Sequence, residues 1–354
     1  MRVLFYLPVV TPWWFDHIVT PLIRALASAH DVHVMVPPSW RGTGIDEPPS
    51  LARVTWHQLD AAGHPRLRDD GRAYPGLIDR ITALSPDLTL ARSADIVTPA
   101  RFPGTVRYLM EASIPLIAPM LTRIQLADTL FDHGCTAPRP APGIDDPWDR
   151  AQSDFPPREG PALPDGRRLI ALALEFEHPE MFFASHRPYR DNATMIEAFA
   201  AMLPDDMLLA VTNHPANERF CDNSAIHAVA ARHPGKVTIV PETGPPGRTT
   251  AMLARRADGM IVSDSKSLFL PAMFGTPVLR LSRFASGAWI AAYADPAAFF
   301  TDIAAGTARA ADPADARAWI AHHLAHESFD AANPALDAAT ILSRANMPPL
   351  ARAA

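Results

Sequence analysis

Residues 258–281 have the sequence DGMIVSDSKSLFLPAMFGTPVLRL, and this stretch decides the class of fold. A short apolar strand at residues 259–262 ends in a serine-rich turn at residues 263–267. A helix ending near Phe274 follows, and a second apolar strand, Val278 to Leu281, comes directly after it. Because the first strand is apolar throughout, the second is apolar except for Arg280, and a helix connects them, the stretch predicts two buried parallel strands.

The same alternation of apolar strands and helices runs through both halves of the chain. In the second half, further strands are expected near Leu169 to Leu174, Leu208 to Thr212 and Val237 to Val240, and helices near Ala193 to Met202 and Thr249 to Arg256. In the first half, the expected strands are Arg2 to Leu7, Val32 to Val36, Val54 to Leu59, Leu88 to Ala91 and Val106 to Met110, and the expected helices are Trp14 to Ala29, Leu77 to Leu84 and Leu121 to His133. This alternation predicts an α/β protein with two Rossmann-like domains, each built on a parallel sheet.

Between the halves, the character of the sequence changes. Residues 136–166 contain eight prolines and three glycines without sustained periodicity, which predicts a linker. The expected boundaries are an N-terminal domain at residues 1–140, a proline-rich linker at 141–166, a C-terminal domain at 167–330 and a helical tail at 331–354.

Composition excludes several classes of partner and site. Hydrophobic residues make up 48% and charged residues 20% of the 354-residue chain, which is ordinary for a globular protein. The formal net charge of −6, without a long Lys/Arg block, argues against nucleic acid as a partner. Cys135 and Cys221 are too few for a disulfide framework or a zinc cluster, which favours a reducing cytoplasm. No apolar run is long enough to span a membrane, so only peripheral attachment to its inner face stays open.

The strongest candidate for ligand binding is a histidine at a strand end. The strand that ends at Thr212 is followed by Asn213-His214-Pro215, and carboxyl ends of parallel strands face the ligand crevice of an open α/β sheet. His214 can donate a ring N–H to a phosphate oxygen, and Pro215 stiffens the turn that presents it. The alternative is a loop histidine that caps a helix.

The serine-rich turn is the second candidate. Ser263, Ser265 and Ser267 offer hydroxyl groups and Lys266 offers a positive charge where a strand leads into a helix. Free backbone N–H groups at a helix start favour an anion, although N-capping by one serine is expected in any case. Together with His214, the turn predicts a phosphate-binding site.

This combination of motifs resembles a known family. A strand that ends in His-Pro, followed about fifty residues later by a serine-rich turn, a short helix and a Gly-x-Pro-Val strand, is similar to the C-terminal domain of bacterial capsule and lipopolysaccharide glycosyltransferases. Within that group it most resembles the CMP-Kdo transferases and the related sialyltransferases, over roughly Leu169 to Leu281. The resemblance implies the GT-B architecture, in which two Rossmann-like domains face each other across a cleft. It also implies that His214, Ser263, Ser265 and Ser267 contact the nucleotide phosphate.

The resemblance further implies a nucleotide-sugar donor on the C-terminal domain and a glycan or glycolipid acceptor on the N-terminal domain. Many NDP-sugar transferases of this architecture carry a Glu in the helix after the serine-rich turn, whereas this chain has Leu270-Pro271-Ala272. A CMP-linked acidic sugar is therefore favoured over a UDP- or GDP-sugar. Arg187 and Arg190, which follow the first strand of the C-terminal domain, are candidates to pair with a donor carboxylate or phosphate. Plain exposed loop charges are the alternative for both.

An inverting transfer needs a base that takes the proton of the acceptor hydroxyl. The region after the first strand offers Asp16 and His17, which are neighbours on a predicted helix and cannot share one face. Asp16 is preferred because it lies nearer the helix start, although a solvated charge favoured by the helix dipole is its alternative role. Asp95 and Glu111, each near a strand end, are the other candidates.

Other enzyme classes lack their usual motifs. The sequence contains no Gly-x-Gly-x-x-Gly, Walker loop, His-Glu-x-x-His or Gly-x-Ser-x-Gly, which removes the usual support for nicotinamide enzymes, P-loop NTPases, zinc hydrolases and α/β-hydrolases. Neither a metal nor a cofactor is expected. Two alternatives remain, a sugar-nucleotide epimerase of the same fold and a non-catalytic binding subunit of a polysaccharide assembly complex.

Overall fold

The chain folds into two compact units, which are built on separate sheets. The structure, a computed structural model, describes residues 1–39, 43–46, 51, 53–59, 74, 76–117, 121–141, 143–155, 160–164, 166–178, 181 and 183–347. Unit 1 comprises Met1–Ser113, Pro119–Asp132 and His323–Ala354, and unit 2 comprises Ile114–Ala118 and His133–His322. Helices connect mainly parallel strands in each unit, so the prediction of an α/β protein with two Rossmann-like domains is confirmed.

Strands and helices alternate along most of the described chain. The strands are β1 (Arg2–Tyr6), β2 (Asp31–Val36), β3 (Val54–Gln58), β4 (Leu88–Ala91), β5 (Thr105–Glu111), β6 (Arg123–Ala127), β7 (Arg168–Ala173), β8 (Met207–Thr212), β9 (Val237–Val240), β10 (Gly259–Val262), β11 (Val278–Arg280) and β12 (Ser328–Asp330). The α-helices are α1 (Pro12–Trp14), α2 (Thr20–Ala27), α3 (Leu77–Leu84), α4 (Asp145–Ser153), α5 (Asn192–Met202), α6 (Pro215–Phe220), α7 (Ser224–Arg232), α8 (Arg248–Arg256), α9 (Phe269–Phe274), α10 (Pro296–Ala305), α11 (Pro313–His322) and α12 (Ala338–Arg344).

The sheet of unit 1 has the strand order β12-β6-β5-β4-β1-β2-β3. Strands β1 to β5 are parallel to one another, and their order reverses between β1 and β4. Carboxyl ends of the strands at such a switch point form the usual ligand crevice of an open α/β sheet. Any site of unit 1 is therefore expected near the ends of β1 and β4.

One predicted helix of unit 1 is wrong. The segment expected as a helix from Leu121 to His133 contains β6, which pairs antiparallel with both β5 and β12. Burial alternates over its first four residues, with Ile124 and Leu126 buried and Arg123 and Gln125 half-buried. In so short a stretch, the apolar spacing fits both a strand and a helix. The segment forms a strand because it can pair with the edge of β5.

The sheet of unit 2 has the strand order β11-β10-β7-β8-β9, with all neighbours parallel. Its order reverses between β7 and β10, which is the arrangement of the open Rossmann fold. Close packing on β10 explains the small first residue of that strand. A Cβ on Gly259 would lie 2.4 Å from the Cδ1 of Ile303 and 2.6 Å from the Cζ of Phe299, so helix α10 packs directly on the backbone there.

The proline-rich segment and the tail differ from the expected boundaries. Helix α4 lies within residues 141–166, and the Gln152 amide donates to the carbonyl of Met273 (3.0 Å), so the structure assigns this helix to unit 2. The chain rejoins unit 1 at His323, because Phe329 and Ile341 are buried in the core of that unit. These apolar side chains pack against β6 and α2. The last segment of unit 1 therefore begins at residue 323, eight residues before the expected start of the tail at 331.

Candidate functional site

The switch point of unit 2 is occupied by buried, paired charges. Glu175, just beyond β7, forms an ion pair with Arg187 (Oε2 to Nε 3.1 Å), and the two side chains are only 15% and 10% exposed. The other carboxylate oxygen of Glu175 accepts the backbone N–H of Asp264 (2.9 Å). Glu175 thereby ties the end of β7 to the turn after β10.

A second buried pair extends this network to β11. Asp264 contacts Arg280 at 3.1 Å, and both side chains are almost fully buried. Burial raises the pKa of the Glu175 and Asp264 carboxyls above their ordinary values, while Arg187 and Arg280 respectively act in the opposite direction. Each carboxylate therefore has a guanidinium partner, and the two pairs fix three strand ends relative to one another.

His214 lies at the same edge of the sheet, where β8 leads into α6. Its Nδ1 accepts the backbone N–H of Ala216 (3.1 Å), so the histidine caps the helix and Pro215 occupies the first helical position. Because Nδ1 accepts a hydrogen bond, the proton of the neutral imidazole is on Nε2. The capping role and a donating Nε2–H are therefore compatible in one side chain.

Asparagines that sequence reasoning did not single out hold His214 in place. The buried Asn217 donates to the carbonyl of Glu175 (2.8 Å) and to the side-chain oxygen of Asn213 (2.9 Å), while its own Oδ1 accepts the N–H of Glu177 (2.8 Å). The loops after β7 and β8 are thus fixed to each other. The only sequence signal for this role is the placement of two asparagines on either side of a strand-end His-Pro.

The side chains of the serine-rich turn have different roles: one caps a helical turn and another is buried in the core. Ser265 accepts the N–H of Ser267 (3.2 Å) and caps the short 3₁₀ turn Lys266–Leu268. Ser263 is buried, with its Oγ 3.9 Å from the sulfur of Met195, and Lys266 and Ser267 are half-buried. The serine-rich turn follows β10 and His214 follows β8, and these two strands lie on either side of β7. The usual strand spacing therefore puts the turn and His214 about 10 Å apart.

A groove of about 940 Å³ is lined in part by α5 and α7, and by Asn217 of α6. Its lining includes Glu177, His178, Arg190 and the exposed Phe220. Arg190 is almost fully exposed and pairs with Asp191 (2.7 Å), whereas Arg187 is committed to Glu175. Of the two predicted arginines, Arg190 is therefore the one that faces a ligand-sized space.

In unit 1, Asp16 and His17 lie on a π-helical stretch, Phe15–Val19, and both are exposed. The ring of His17 stacks on Trp13 (4.7 Å between centroids), and its Nδ1 lies 2.8 Å from the carbonyl oxygen of Trp13. A carbonyl oxygen only accepts, so Nδ1 carries the proton and Nε2 is the basic nitrogen of the neutral ring. Single turns of π-helix inside helices are frequent at functional sites.

The other two predicted bases differ from each other in their surroundings. Asp95 is buried, and its Oδ1 accepts the N–H groups of Val97 (2.8 Å) and Thr98 (3.2 Å), so it organises the chain after β4. Glu111, at the end of β5, is 45% exposed and lies 3.6 Å from the guanidinium of Arg92. Sequence reasoning missed Arg92, because nothing in its own segment indicates a partner on another strand.

The predicted residues therefore gather in two places. His214, Pro215, Arg187 and the serine-rich turn lie at the carboxyl edge of the unit 2 sheet. In unit 1, Asp16, His17 and Asp95 follow strands in the chain, and Glu111 is the last residue of β5. Among the described residues, no group of three or more His, Cys, Asp or Glu side chains is arranged to hold a metal ion. Within the same residues, no helix combines the length and hydropathy needed to cross a membrane.

Comparison with known proteins gives a likeness of fold. No family model and no curated protein matches the sequence. Among solved structures, the chain is similar to the beta Kdo 2,7 transferase KpsC of Thermosulfurimonas dismutans, with 11% identity, a TM-score of 0.41 and 80% of each chain covered. It is also similar to the lipopolysaccharide outer core galactosyltransferase WaaB, with 10% identity, a TM-score of 0.40 and 91% of this chain and 95% of that chain covered.

A Listeria monocytogenes protein assigned as a UDP-N-acetylglucosamine 2-epimerase is similar as well, with 13% identity, a TM-score of 0.36 and coverage of 92% of this chain and 95% of that chain. The expected likeness to Kdo and lipopolysaccharide transferases is thus found, and an epimerase is found beside them. At these identities and TM-scores the likeness carries no argument about the reaction, which is argued from the residues alone.

Proposed function

We propose that the protein is a glycosyltransferase whose unit 2 binds a nucleotide-activated sugar at the carboxyl edge of its sheet. The observation that carries this proposal is the pair of donors on either side of β7. On one side His214 has its proton on Nε2, and on the other the serine-rich turn offers hydroxyl groups at a chain reversal. Such fixed donors stabilise the phosphate of a nucleotide and the charge that develops on it as it leaves.

The charges around this edge support an anionic ligand. The two buried carboxylates that a phosphate would approach, Glu175 and Asp264, are paired with Arg187 and Arg280. Their repulsion toward a phosphate is therefore offset by cations a few ångströms away. The same pairs fix the strand ends, so the donors are held in position before the ligand binds.

The donor we propose is a CMP-linked acidic sugar. The groove lined by α5 and α7 has the size of a small-molecule site, and Arg190 is one of its lining residues and is little buried. A guanidinium in this position suits a sugar carboxylate, because the two groups can form a pair of parallel hydrogen bonds. The helix after the serine-rich turn has the buried residues Leu270, Pro271 and Ala272 where many NDP-sugar transferases place a carboxylate.

For the reaction itself, we propose inverting transfer to a hydroxyl of an acceptor held by unit 1. The acceptor oxygen forms a bond to the anomeric carbon, the bond from that carbon to the phosphate oxygen breaks, and the nucleotide leaves with the bonding electrons. A base of unit 1 takes the proton of the acceptor hydroxyl. Asp16 is the proposed base, and His17, with its basic Nε2, is the next candidate.

A ligand panel tests the donor site. Thermal unfolding with CMP, UDP, GDP and their sugars should show stabilisation by the cytidine compounds, since a ligand at 100 times its Kd adds about 2.7 kcal/mol to the free energy of unfolding. CMP and the CMP-linked acidic sugar should give the largest rise in Tm. No rise with any nucleotide would contradict the proposal.

A second measurement separates the proposed reaction from its rivals. A transferase releases CMP from the CMP-linked sugar at a rate that increases with acceptor concentration. An epimerase releases free nucleotide from its sugar nucleotide without an acceptor, and a non-catalytic subunit releases none. Nucleotide release that is fast and independent of any acceptor would therefore replace the transferase with an epimerase.

A further inference from the structure

Phe220 places an aromatic ring at the surface of the groove that α5 and α7 line. It is the last residue of α6, it is 65% exposed, and it is one of the lining residues of the groove. Asn217, three residues earlier on α6, also lines the groove, so one face of this helix runs along it. An exposed ring in a space of this size offers a flat apolar surface on which a planar ring can stack.

Helix α6 connects the proposed phosphate contact to the groove. His214 is the N-cap of this helix, and Phe220 follows six residues later. At a rise of about 1.5 Å per residue, the two positions are about 9 Å apart along the helix axis, which is comparable with the length of a mononucleotide from its phosphate to its base. The groove, at about 940 Å³, is at the upper end of the range for small-molecule sites, so it has room for a base as well as a sugar.

Glu177 supplies a fixed hydrogen-bond acceptor in the same groove. Its side chain is half-buried, and its Oε2 accepts the backbone N–H of Asn192 (2.7 Å) at the start of α5. The thiol of Cys221 lies 3.4 Å from the carbonyl oxygen of Glu177 and donates to it, which joins this residue to the end of α6, next to Phe220. No residue that the structure describes donates a hydrogen bond to Oε1 of Glu177. One carboxylate oxygen is therefore tied to α5, and the other is the acceptor available to a ligand.

We propose that the base of the donor nucleotide stacks on Phe220 and that Glu177 selects cytosine by accepting a hydrogen bond from its exocyclic amino group. This inference rests on the proposed function, because it names the residues that recognise the base of the proposed donor. Stacking alone distinguishes bases poorly, since every base has a π-face. Cytosine has an amino donor where uracil has a carbonyl acceptor, and a carboxylate oxygen suits the donor.

Calorimetry of the full-length protein with CMP, UMP and ribose 5-phosphate tests the contact with the base. We expect CMP to bind more tightly than UMP, and both to bind more tightly than ribose 5-phosphate, which has the phosphate but no base. Equal affinity for CMP and ribose 5-phosphate would overturn the inference while leaving the phosphate contact in place. Failure of all three ligands to bind would overturn the proposed donor site, and this inference with it.

Phe220→Ala tests the stacking contact. The variant should bind CMP and UMP about tenfold more weakly and ribose 5-phosphate as before, and its ring is exposed, so its loss should not disturb the fold. Met202→Ala, which removes an exposed apolar side chain at the end of α5, is the matched control and should leave all three affinities unchanged. Undiminished CMP affinity in Phe220→Ala would exclude the stacking contact.

Glu177→Gln tests the selection of cytosine, because a selective role and a structural role predict different results. The amide oxygen of the glutamine can accept the N–H of Asn192 in place of Oε2, which leaves the amide NH₂ group for the ligand. This donor suits the carbonyl of uracil, so the variant should bind CMP about tenfold more weakly and UMP more tightly than the wild type. If Glu177 only holds the start of α5, both nucleotides should weaken alike, and an unchanged ratio of CMP to UMP affinity would overturn its assignment.

Discussion

Replacement of His214 separates ligand binding from folding, because the structure gives its two ring nitrogens different roles. Nδ1 accepts the N–H of Ala216 and caps α6, and loss of such a cap costs about 1 kcal/mol of stability. Nε2–H is the proposed donor to the phosphate, and a hydrogen bond to a charged group contributes about 1.5–3 kcal/mol. His214→Ala should therefore lower nucleotide affinity by roughly tenfold or more and also lower the free energy of unfolding slightly.

His214→Asn isolates the second effect. Asparagine is among the best N-cap residues, so its side-chain oxygen can accept the N–H of Ala216 in place of Nδ1, but it has no group at the position of Nε2. We expect near-normal urea unfolding and the same loss of CMP affinity as in His214→Ala. The matched control is His227→Ala, since His227 is exposed on α7 and is not part of the proposed phosphate site.

Isothermal titration calorimetry with CMP, and with the CMP-linked sugar, is the assay for all three variants. Unchanged affinity in both His214 variants would refute the phosphate contact. Recovery of affinity in His214→Asn would show that the histidine acts on the nucleotide only through the cap of α6.

Three further predictions concern other parts of the chain. Asp16→Asn keeps the size of the side chain and should lower kcat by about 10²–10⁴-fold with donor affinity intact, whereas near-normal turnover would transfer the role of base to His17. Arg190→Met should weaken binding of the CMP-linked acidic sugar by about tenfold while the Kd of CMP itself stays the same, and equal losses for both would place this arginine on the phosphate instead. Burial, and then the positive charge of His33, lowers the pKa of His57 from its ordinary 6.5, so the folded protein binds fewer protons there than the unfolded chain. Stability should consequently fall as pH drops below about 6.5, and His57→Gln should flatten this dependence in urea unfolding measured between about pH 7.5 and pH 5. An unchanged pH dependence in His57→Gln would show that the pair His33–His57 (2.8 Å) does not govern it.

The sequence by itself determined the parallel sheets and the neighbourhood of the candidate donor site. Strands such as β1, β8 and β10 are apolar over most of their length, and helices separate them, so their parallel arrangement follows from the local pattern. Carboxyl ends of parallel strands meet at one edge of a sheet. His214 and the serine-rich turn could therefore be placed at the same edge from the sequence alone.

Only the tertiary structure decided which polar side chains are fixed and which are available. Arg187 and Arg190 are alike in sequence context, yet one is buried against Glu175 and the other is exposed along the groove. Arg92 meets Trp14 and Glu111 only because β4, β5 and the region after β1 come together in the sheet.

Contacts between distant segments also explain two features of unit 1 that the sequence pattern did not predict, strand β6 and the returning tail. Strand β6 and the returning tail complete the sheet by antiparallel pairing across β5, β6 and β12, between segments about 200 residues apart in the case of β6 and β12. A local pattern shows how one segment buries its own apolar face. The partner against which it does so depends on the packing of the whole chain, and so do the burial and pairing of the charges that complete each candidate site.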